Sequence, residues 1–258
     1  MNKVTQWKTL RYLACGLVLL ATPALAVDSS LASASPGVAQ TGEVPLAGDN
    51  WIDHFDTYAT GSQMHGQGGW VGWDNAPAAG ALTSSAQARS PLNSVDILGA
   101  SDLVQIYTGH TGTWTYTAWQ YLPSSLSGIT YFIMLNTYNH GGPYNWSIQV
   151  NFDGATDTVT NDGVTGGTLP IIYDQWVEIR VVIDLVADVQ TFYYGGQVLY
   201  TGTWTGEVSG GGLAQIAAVD LFANGASSAF YDDISMSDLP FLDGFETEST
   251  VNWHSTLP

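Results

Sequence analysis

The feature of this sequence that most limits its fold is a strict alternation of apolar and polar side chains. From residue 144 to residue 152, Tyr, Trp, Ile, Val and Phe take every second position, with Asn, Ser, Gln and Asn between them. A period of two puts the two sets on opposite faces of a β-strand. Segments 113–121 and 175–185 alternate in the same way. Strands of this kind belong to sheets that cover a core on one side only.

Short runs of β-branched and aromatic residues continue from residue 51 to about residue 236, separated by Gly, Asn, Asp and Pro. Many short strands at this spacing are typical of a sandwich or a barrel. We predict an all-β fold, a two-sheet antiparallel jelly-roll sandwich, over residues 49–238. The predicted strands are 113–121, 129–138, 144–152, 175–185, 191–194, 197–201, 217–222 and 230–236.

The first 26 residues have the organisation of a secretory signal peptide. Three basic residues precede the apolar run 12–20, and Ala24-Leu25-Ala26 forms a small-x-small cleavage site. We predict cleavage after Ala26 and a secreted protein, extracellular or at the cell surface. Residues 27–48, rich in Ala, Ser, Gly and Val, are predicted to be a flexible lead-in. No other segment approaches the roughly 20 apolar residues that a membrane span needs, so we expect no membrane insertion.

The predicted mature chain is strongly acidic. The full chain has a formal charge of −18, and three of its five basic residues lie in the signal peptide. Removing that segment leaves Arg89 and Arg180 against all 23 acidic residues, a formal charge of −21. Such a surface repels phosphate backbones, so we expect no nucleic-acid partner. It suits neutral ligands or cations, and it serves equally well to keep an apolar-rich secreted protein soluble.

Cysteine chemistry is absent from the predicted mature chain. The single cysteine, Cys15, lies in the signal peptide. Disulfides therefore cannot stabilise the mature protein, although secretion would permit them. We expect its stability to come from a hydrophobic core.

Three segments resemble the concanavalin A-like lectin/glucanase superfamily, and its laminin-G-like branch in particular. Residues 174–184, followed by 190–199, match a Trp, an alternating strand, an Asp and a strand ending in Tyr-x-Gly-Gly. Tyr231-Asp232-Asp233-Ile234 matches an aromatic-Asp-Asp-Ile strand, and residues 53–58 match a first strand of the form Asp-x-Phe-Asp-x-Tyr. The resemblance covers about residues 51–238. It implies a concanavalin A-like sandwich whose first and last strands lie side by side.

The same resemblance implies a calcium ion between the first and last strands. By this likeness Asp56 and Asp233 would be the metal ligands, with Asp232 beside them. Hard carboxylate oxygens suit Ca²⁺. The alternative is that these aspartates only cap strand ends in solvent.

Carbohydrate binding is the function that these residues favour. Sugars present apolar C–H faces and hydroxyl edges, so a site for them needs aromatic rings beside polar side chains. We expect one open, polar sheet face to provide such groups, with the loop after Tyr138 as its rim. We predict a carbohydrate-binding or surface-recognition module without catalysis, whose partner is a glycan or a cell-surface polysaccharide. The predicted binding residues are Trp119, Tyr138, Asn145, Gln149, Glu178 and Arg180.

Enzymes on the same fold are the first alternative. Glucanases of this superfamily carry two carboxylates on one strand, as Glu-x-Asp-x-x-Glu, and no predicted strand here has that spacing. Asp232 and Asp233 are adjacent, so we expect them to face opposite ways. Lyases that act on uronates need cationic residues, and the mature chain would have two arginines. Gln149 and Glu178, if they meet on neighbouring strands, would give a glutamic-peptidase-like pair.

The second alternative is a purely structural secreted or cell-surface protein. Its open sheet face would be flat, without a groove or an exposed aromatic ring. The five histidines are scattered singly, and they provide no anchor for a metal site or a catalytic triad.

Two further segments have distinctive compositions. Residues 61–75 are dense in Gly and Trp, and we predict that they pack across an edge of the sandwich. Residues 239–258 form a tail in which Phe241-Leu242-Asp243-Gly244-Phe245-Glu246 resembles a short C-terminal motif of exported bacterial proteins. That resemblance implies a role in sorting or surface attachment. The alternative is a last strand or a frayed end.

Overall fold

The computed structural model describes residues 50–238. The predicted signal peptide (1–26), lead-in (27–48) and tail (239–258) lie outside the described residues. Between residues 50 and 238 the chain forms fifteen β-strands and two single-turn 3-10 helices, Trp73–Asn75 and Pro77–Ala79. No helix of this part is long and apolar enough to cross a membrane.

The strands are, in chain order, β1 (Trp51–Asp53), β2 (Trp70–Gly72), β3 (Leu82–Ser84), β4 (Ser94–Ile97), β5 (Asp102–Ile106), β6 (Thr113–Tyr121), β7 (Ile129–Tyr138), β8 (Tyr144–Asp153), β9 (Thr158–Asn161), β10 (Thr168–Pro170), β11 (Trp176–Asp184), β12 (Val189–Tyr194), β13 (Gln197–Gly202), β14 (Ala218–Phe222) and β15 (Ala229–Ser237).

These strands form two antiparallel sheets. Sheet A has the order β13-β12-β11-β6-β15-β4-β3, and β1 pairs with β15 as its eighth strand. Sheet B has seven strands in the order β10-β9-β8-β7-β14-β5-β2. The predicted all-β, two-sheet antiparallel sandwich is therefore confirmed.

The core lies between the inner faces of the two sheets. Val150 and Phe152 of β8 and Ile179 and Val181 of β11 are fully buried in one hydrophobic cluster. These are apolar positions of the alternating segments, so alternation identified these inward residues correctly. Tyr144 and Trp146, predicted to share the face of Val150 and Phe152, lie outside this cluster because the pairing of β7 with β8 shifts register at Leu135. Each such side chain contributes about 1.5–3 kcal/mol when it leaves water.

The predicted strands agree with the observed ones to within two residues, but the first-strand motif does not. Strand β1 ends at Asp53, and Phe55 has a left-handed φ of 59°, so the rest of the motif forms a turn. The side-by-side arrangement of the first and last strands is confirmed, because Trp51 pairs with Met236 and Asp53 with Ile234.

The glycine-rich segment 61–75 crosses an edge of the sandwich, as predicted. Gln63 forms a bridge to Leu82 of sheet A, while β2 pairs with β5 at the edge of sheet B. Gly72 allows a close approach there, since a Cβ at this position would lie 2.1 Å from the Ala76 carbonyl oxygen. This turn places Trp73 beside the ends of β7 and β8.

Candidate functional site

The six predicted carbohydrate-binding residues lie on two different sheets. Trp119, Glu178 and Arg180 belong to β6 and β11 of sheet A, whereas Tyr138, Asn145 and Gln149 belong to β7 and β8 of sheet B. The outer faces of the two sheets point in opposite directions, because the core separates them. The prediction that these residues share one face is therefore wrong. Alternation tells which side of a strand is polar, but it does not tell which sheet the strand joins.

The predicted meeting of Gln149 with Glu178 is wrong for the same reason. The Gln149 side-chain amide donates to Asp162 Oδ2 at 3.0 Å on sheet B. Glu178 Oε2 lies 3.5 Å from Arg180 Nε on sheet A. The glutamic-peptidase-like pair has no geometric basis.

On the outer face of sheet A, both arginines cover aromatic rings. The Arg89 guanidinium carbon lies 3.8 Å from the ring centre of Trp119, and that of Arg180 lies 4.2 Å from the ring centre of Tyr193. Both contacts are cation–π interactions. A sugar that stacked on either ring from that side would have to displace a guanidinium group, so this face is a poor aromatic platform.

The outer face of sheet B carries aromatic and acidic side chains on neighbouring strands. Residues directly opposite each other in an antiparallel pair point to the same side. Leu103, Phe132, Val150 and Leu221 belong to the core, so the residues next to them in each strand point outward. Two cross-strand rows define what we call the sheet B face: Asn151–Tyr131–Phe222–Asp102 and Gln149–Ile133–Asp220–Val104.

The first row supplies an aromatic pair with a polar border, in which Tyr131 is half-buried and Phe222 is 6% exposed. The rings of Tyr131 and Phe222 are stacked, with centres 5.8 Å apart and planes 23° apart. At the border, Asn151 Nδ2 donates to Asp162 Oδ1 at 2.7 Å, and Asp162 also accepts from Gln149. Rings flanked by fixed amide groups are the combination that sugar recognition needs.

The second row differs from the solvated face that alternation predicts. Val104, Ile133 and Asp220 are at most 1% exposed, although they point away from the core. The burial of Asp220 is unusual, because an Asp side chain almost never lies fully buried unless it is paired. The middle row of the sheet B face is thus closed to solvent, and it holds a buried carboxylate.

Two carboxylates on this face come from adjacent strands. Asp220 of β14 lies opposite Val104 of β5, two residues along from Asp102. The backbones of such diagonal neighbours are about 7–8 Å apart. Sequence reasoning missed this pair because it looked for spacing within a single strand. The available signal was an aspartate inside each of two apolar strands, AVDLF and DLVQI.

An aromatic cluster extends the sheet B face at the end of β7 and β8. Trp146 lies opposite Leu135, which lies opposite Ala218, so the cluster continues the face by one row. The indole rings of Trp73 and Trp146 are stacked at 6.3 Å and 14°. We call this group the loop-end cluster, and its members are Trp73, Tyr138, Tyr144 and Trp146.

Asp74 fixes the loop-end cluster to the hairpin between β7 and β8. The Asp74 N–H donates to the Tyr138 hydroxyl oxygen at 2.9 Å. Its Oδ1 accepts from the Tyr144 hydroxyl at 2.5 Å and from the Gly141 N–H at 2.9 Å. The predicted loop after Tyr138 is therefore a hairpin held by a side chain from a distant turn.

Tyr138 itself is buried, at 7% exposed. Burial raises the pKa of its phenol well above the ordinary value, and the negative charges of Asp220, Asp74 and Asp102 raise it further. The phenol therefore stays protonated at neutral pH. The loop-end cluster therefore lies near the acidic pair.

Asn145 has a structural position beside this site. Its side-chain amide donates to the Gly210 carbonyl at 2.9 Å, and its Oδ1 accepts from Asn136 at 2.9 Å. These bonds tie the hairpin to the loop before β14. A direct role of Asn145 in sugar binding stays a prediction.

A second polar cluster lies where the first and last strands meet, and we call it the junction cluster. Its members are His54, Asp56, Arg89, Ser90, Asp232 and Asp233. Asp56 and Asp233, the predicted metal ligands, are brought together: the Ser90 hydroxyl lies 3.2 Å from Asp56 Oδ2 and 3.0 Å from Asp233 Oδ1.

Asp232 and Asp233 do not face opposite ways, contrary to the sequence prediction. The register of β15 shifts between Asp232 and Ser235, and Asp233 has a left-handed φ of 44°. A bulge of this kind re-aims a side chain. Both aspartates consequently bond to Arg89 and Ser90, Asp232 through their backbone N–H groups and Asp233 through their side chains.

The junction cluster, as it is arranged, does not fit a calcium ion. Asp232 accepts three backbone N–H groups, and Asp233 accepts from His54 Nδ1 at 2.6 Å and from the Arg89 guanidinium. Calcium needs six to eight oxygen ligands, and these oxygens already have donors. Within residues 50–238 no group of three or more His, Cys, Asp and Glu side chains could hold a metal. The calcium site stays a prediction.

The two aspartates predict a stability maximum at weakly acidic pH. Burial and the neighbouring Asp233 raise the pKa of Asp232 to about 8, so the stability it contributes is lost as pH rises from about 4 to 8. Burial opposes ionisation of Asp233 too, but His54 and Arg89 outweigh it and lower its pKa. The stability it contributes is lost as pH falls below about 4.

We therefore expect a higher melting temperature at pH 5 than at pH 8 or pH 3, measured by scanning fluorimetry. Asp232→Asn should reduce the difference between pH 5 and pH 8, because it removes the group that titrates there. An equal difference in wild type and variant would contradict this assignment.

Comparisons with known proteins concern the fold alone. No family model and no curated protein matches the chain. Among solved structures, a sialidase matches at 7% identity and a TM-score of 0.49, over 74% of this chain and 18% of that one. Alginate lyase Aly36B matches at 11% identity and a TM-score of 0.46, over 74% of this chain and 97% of that one.

The carbohydrate-binding module CBM66 from Bacillus subtilis matches at 11% identity and a TM-score of 0.41, over 66% of this chain and 96% of the module. This chain thus spans less than a fifth of the length of the sialidase, but nearly all of the other two proteins. The solved structures that the chain resembles thus include a carbohydrate-binding module, a lyase and a sialidase.

Proposed function

We propose that this protein is a secreted carbohydrate-binding module that holds a glycan on the sheet B face, without catalysis. The stacked rings of Tyr131 and Phe222, bordered by Gln149 and Asn151, are the observation that carries the proposal. Sugar C–H faces pack on such rings while amide groups bond to hydroxyls. The loop-end cluster lies beyond the buried middle row, and Trp73, Tyr138 and Trp146 are at most 8% exposed, so it supports this end of the face.

The charge distribution favours a neutral glycan over a uronate polymer. Asp102 and Asp220 lie on the sheet B face, and Asp74 and Asp162 border it. The two arginines of residues 50–238 both lie over sheet A, where they cover Trp119 and Tyr193. A polyuronate would therefore meet carboxylates without compensating cations, and like-charge contact of this kind opposes binding.

A glycan array tests the proposal. The protein would be expressed from Val27 onward and screened against neutral glucans, mannans, xylans and galactans, with alginate and polygalacturonate as acidic counterparts. We expect binding to a neutral class and none to the uronates. Each screen would be run with calcium and with a chelator, to test whether binding depends on the predicted calcium ion. Silence across the array from a folded sample would contradict the proposal and favour a structural or protein-binding role.

Glycan hydrolysis is a second candidate because of Asp102 and Asp220. Inverting glycosidases hold two carboxyl groups about 6.5–9.5 Å apart. Asp102 and Asp220 lie on neighbouring strands, but they are 5% and 0% exposed, so a glycan would reach them only if the sheet B face opened. Incubation of the bound glycan with the protein, followed by assay of reducing ends, separates a binder from a hydrolase. Release of reducing ends by wild type but not by Asp220→Asn would establish hydrolysis, whereas binding without release would support the module.

A further inference from the structure

We infer that Arg89, assisted by His54, takes the place of the calcium ion that the superfamily resemblance implies. Its guanidinium group supplies the positive charge at the junction of the first and last strands. The junction cluster would then be closed by the chain's own cations, and folding would not depend on a metal.

The position of Arg89 supports this inference. Its guanidinium group contacts Asp233 Oδ2 on one side and lies 3.8 Å from the ring centre of Trp119 on the other. Asp233 is 9% exposed, and Asp232 is fully buried. Buried carboxylates are costly unless a cation or hydrogen-bond donors compensate them. Arg89 provides both, because its backbone N–H also donates to Asp232 Oδ2 at 2.7 Å.

His54 completes the compensation from the first strand's side. Its Nδ1 lies 2.6 Å from Asp233 Oδ1, and the adjoining Asp53 pairs with Ile234 of β15. The segment 89–90 and the end of β1 therefore bond to the same carboxylate from two directions. Such a contact ties the loop before β4 to both terminal strands of the described domain.

A guanidinium and a calcium ion cannot share this position. Both need the oxygens of Asp233, and two cations bound to one carboxylate repel each other. Arg89 thus both excludes the calcium ion and supplies the positive charge in its place. Removing Arg89 should free Asp233 Oδ2 near the Asp56 carboxylate. Calcium could then bind these carboxylate oxygens.

Arg180 is a matched control, because it is the other arginine between residues 50 and 238. It also covers an aromatic ring, but its ion pair with Glu178 is about one-third exposed on both sides. Exposed pairs of this kind contribute little to stability. Any effect peculiar to the junction cluster should therefore appear with Arg89 and not with Arg180.

Thermal unfolding of the mature protein tests the inference. Wild type, Arg89→Ala and Arg180→Ala would be melted in EDTA and in millimolar calcium chloride. We expect wild type to melt at the same temperature in both buffers. Arg89→Ala should melt about 5–10 °C lower in EDTA, since a partly buried carboxylate loses its cation. Calcium should restore part of this loss, and Arg180→Ala should show neither effect.

Either of two results would overturn the inference. One is a wild-type protein that calcium stabilises, which would favour the bound ion of the superfamily. The other is an Arg89→Ala variant that melts like Arg180→Ala. If Arg89→Ala does not fold, Arg89→Lys retains a cation at this position. It should melt between the other two and remain insensitive to calcium, and a calcium-stabilised Arg89→Lys would also count against the inference.

Discussion

Replacing Tyr131 and Phe222 together with leucine is expected to weaken glycan binding at least tenfold. The two leucines keep most of the apolar volume, but they remove the stacked ring faces on which a sugar would pack. A tenfold loss corresponds to about 1.4 kcal/mol of binding free energy, which is modest for two aromatic contacts at the centre of a site. Isothermal titration with the best neutral glycan from the array measures the change.

The matched control for this double variant is Tyr193→Leu on the outer face of sheet A. Tyr193 is a half-buried ring on a strand of the same kind, and it lies across the core from the sheet B face. We expect it to leave the affinity unchanged. If the double variant binds as well as Tyr193→Leu does, the stacked rings are not the binding surface.

Asp53→Ala is expected to reduce the free energy of unfolding by about 3–5 kcal/mol, the largest stability effect that we predict. The Asp53 carboxylate accepts from the Phe55 N–H at 2.8 Å, the Tyr58 hydroxyl at 3.0 Å and the Trp70 indole N–H at 2.8 Å. Alanine would leave these three donors without their acceptor in a region where Asp53 is 5% exposed and Trp70 fully buried. Chemical denaturation measures the loss.

Asp184→Ala provides the comparison. Asp184 Oδ1 also accepts two backbone N–H groups, those of Val186 and Ala187, but they lie at an exposed turn where water can replace it. We expect a loss of about 1 kcal/mol or less. Equal losses for the two variants would mean that the buried donors around Asp53 find other partners.

The long strands could be predicted from the sequence because each has a clear alternation. Thr113–Tyr121 and Ile129–Tyr138 have the predicted bounds, and the inward residues of β11 are those that the pattern marks. In β8 the pattern holds for residues 148–152, whereas a register shift turns Trp146 to the outer face. Short edge strands such as β2 and β3 have three residues each, too few to show a period.

The candidate site was harder to predict because it depends on pairing between strands. Alternation gave the polar side of β8 and of β11, but not the fact that they lie in opposite sheets. Gln149 and Glu178 were therefore placed together wrongly. Asp102 and Asp220 were missed for the same reason, since their proximity arises from the register of β5 and β14.

Backbone irregularity limited the prediction at the junction cluster. A regular strand would send Asp232 and Asp233 to opposite faces, and the bulge in β15 instead turns both toward the segment 89–90. A positive φ at a non-glycine residue is uncommon, and Asp is one of the residues that tolerate it best. The sequence motif thus located the cluster without revealing its internal geometry.

Amide chemical-shift mapping shows whether the sheet B face binds a neutral glycan. The mature protein, labelled with nitrogen-15, would be titrated with the best neutral oligosaccharide from the array. We expect shifts concentrated in Asp102–Ile106, Ile129–Tyr138 and Ala218–Phe222, with Trp176–Asp184 unaffected. Shifts concentrated in Trp176–Asp184 and its neighbours in sheet A would contradict this proposal.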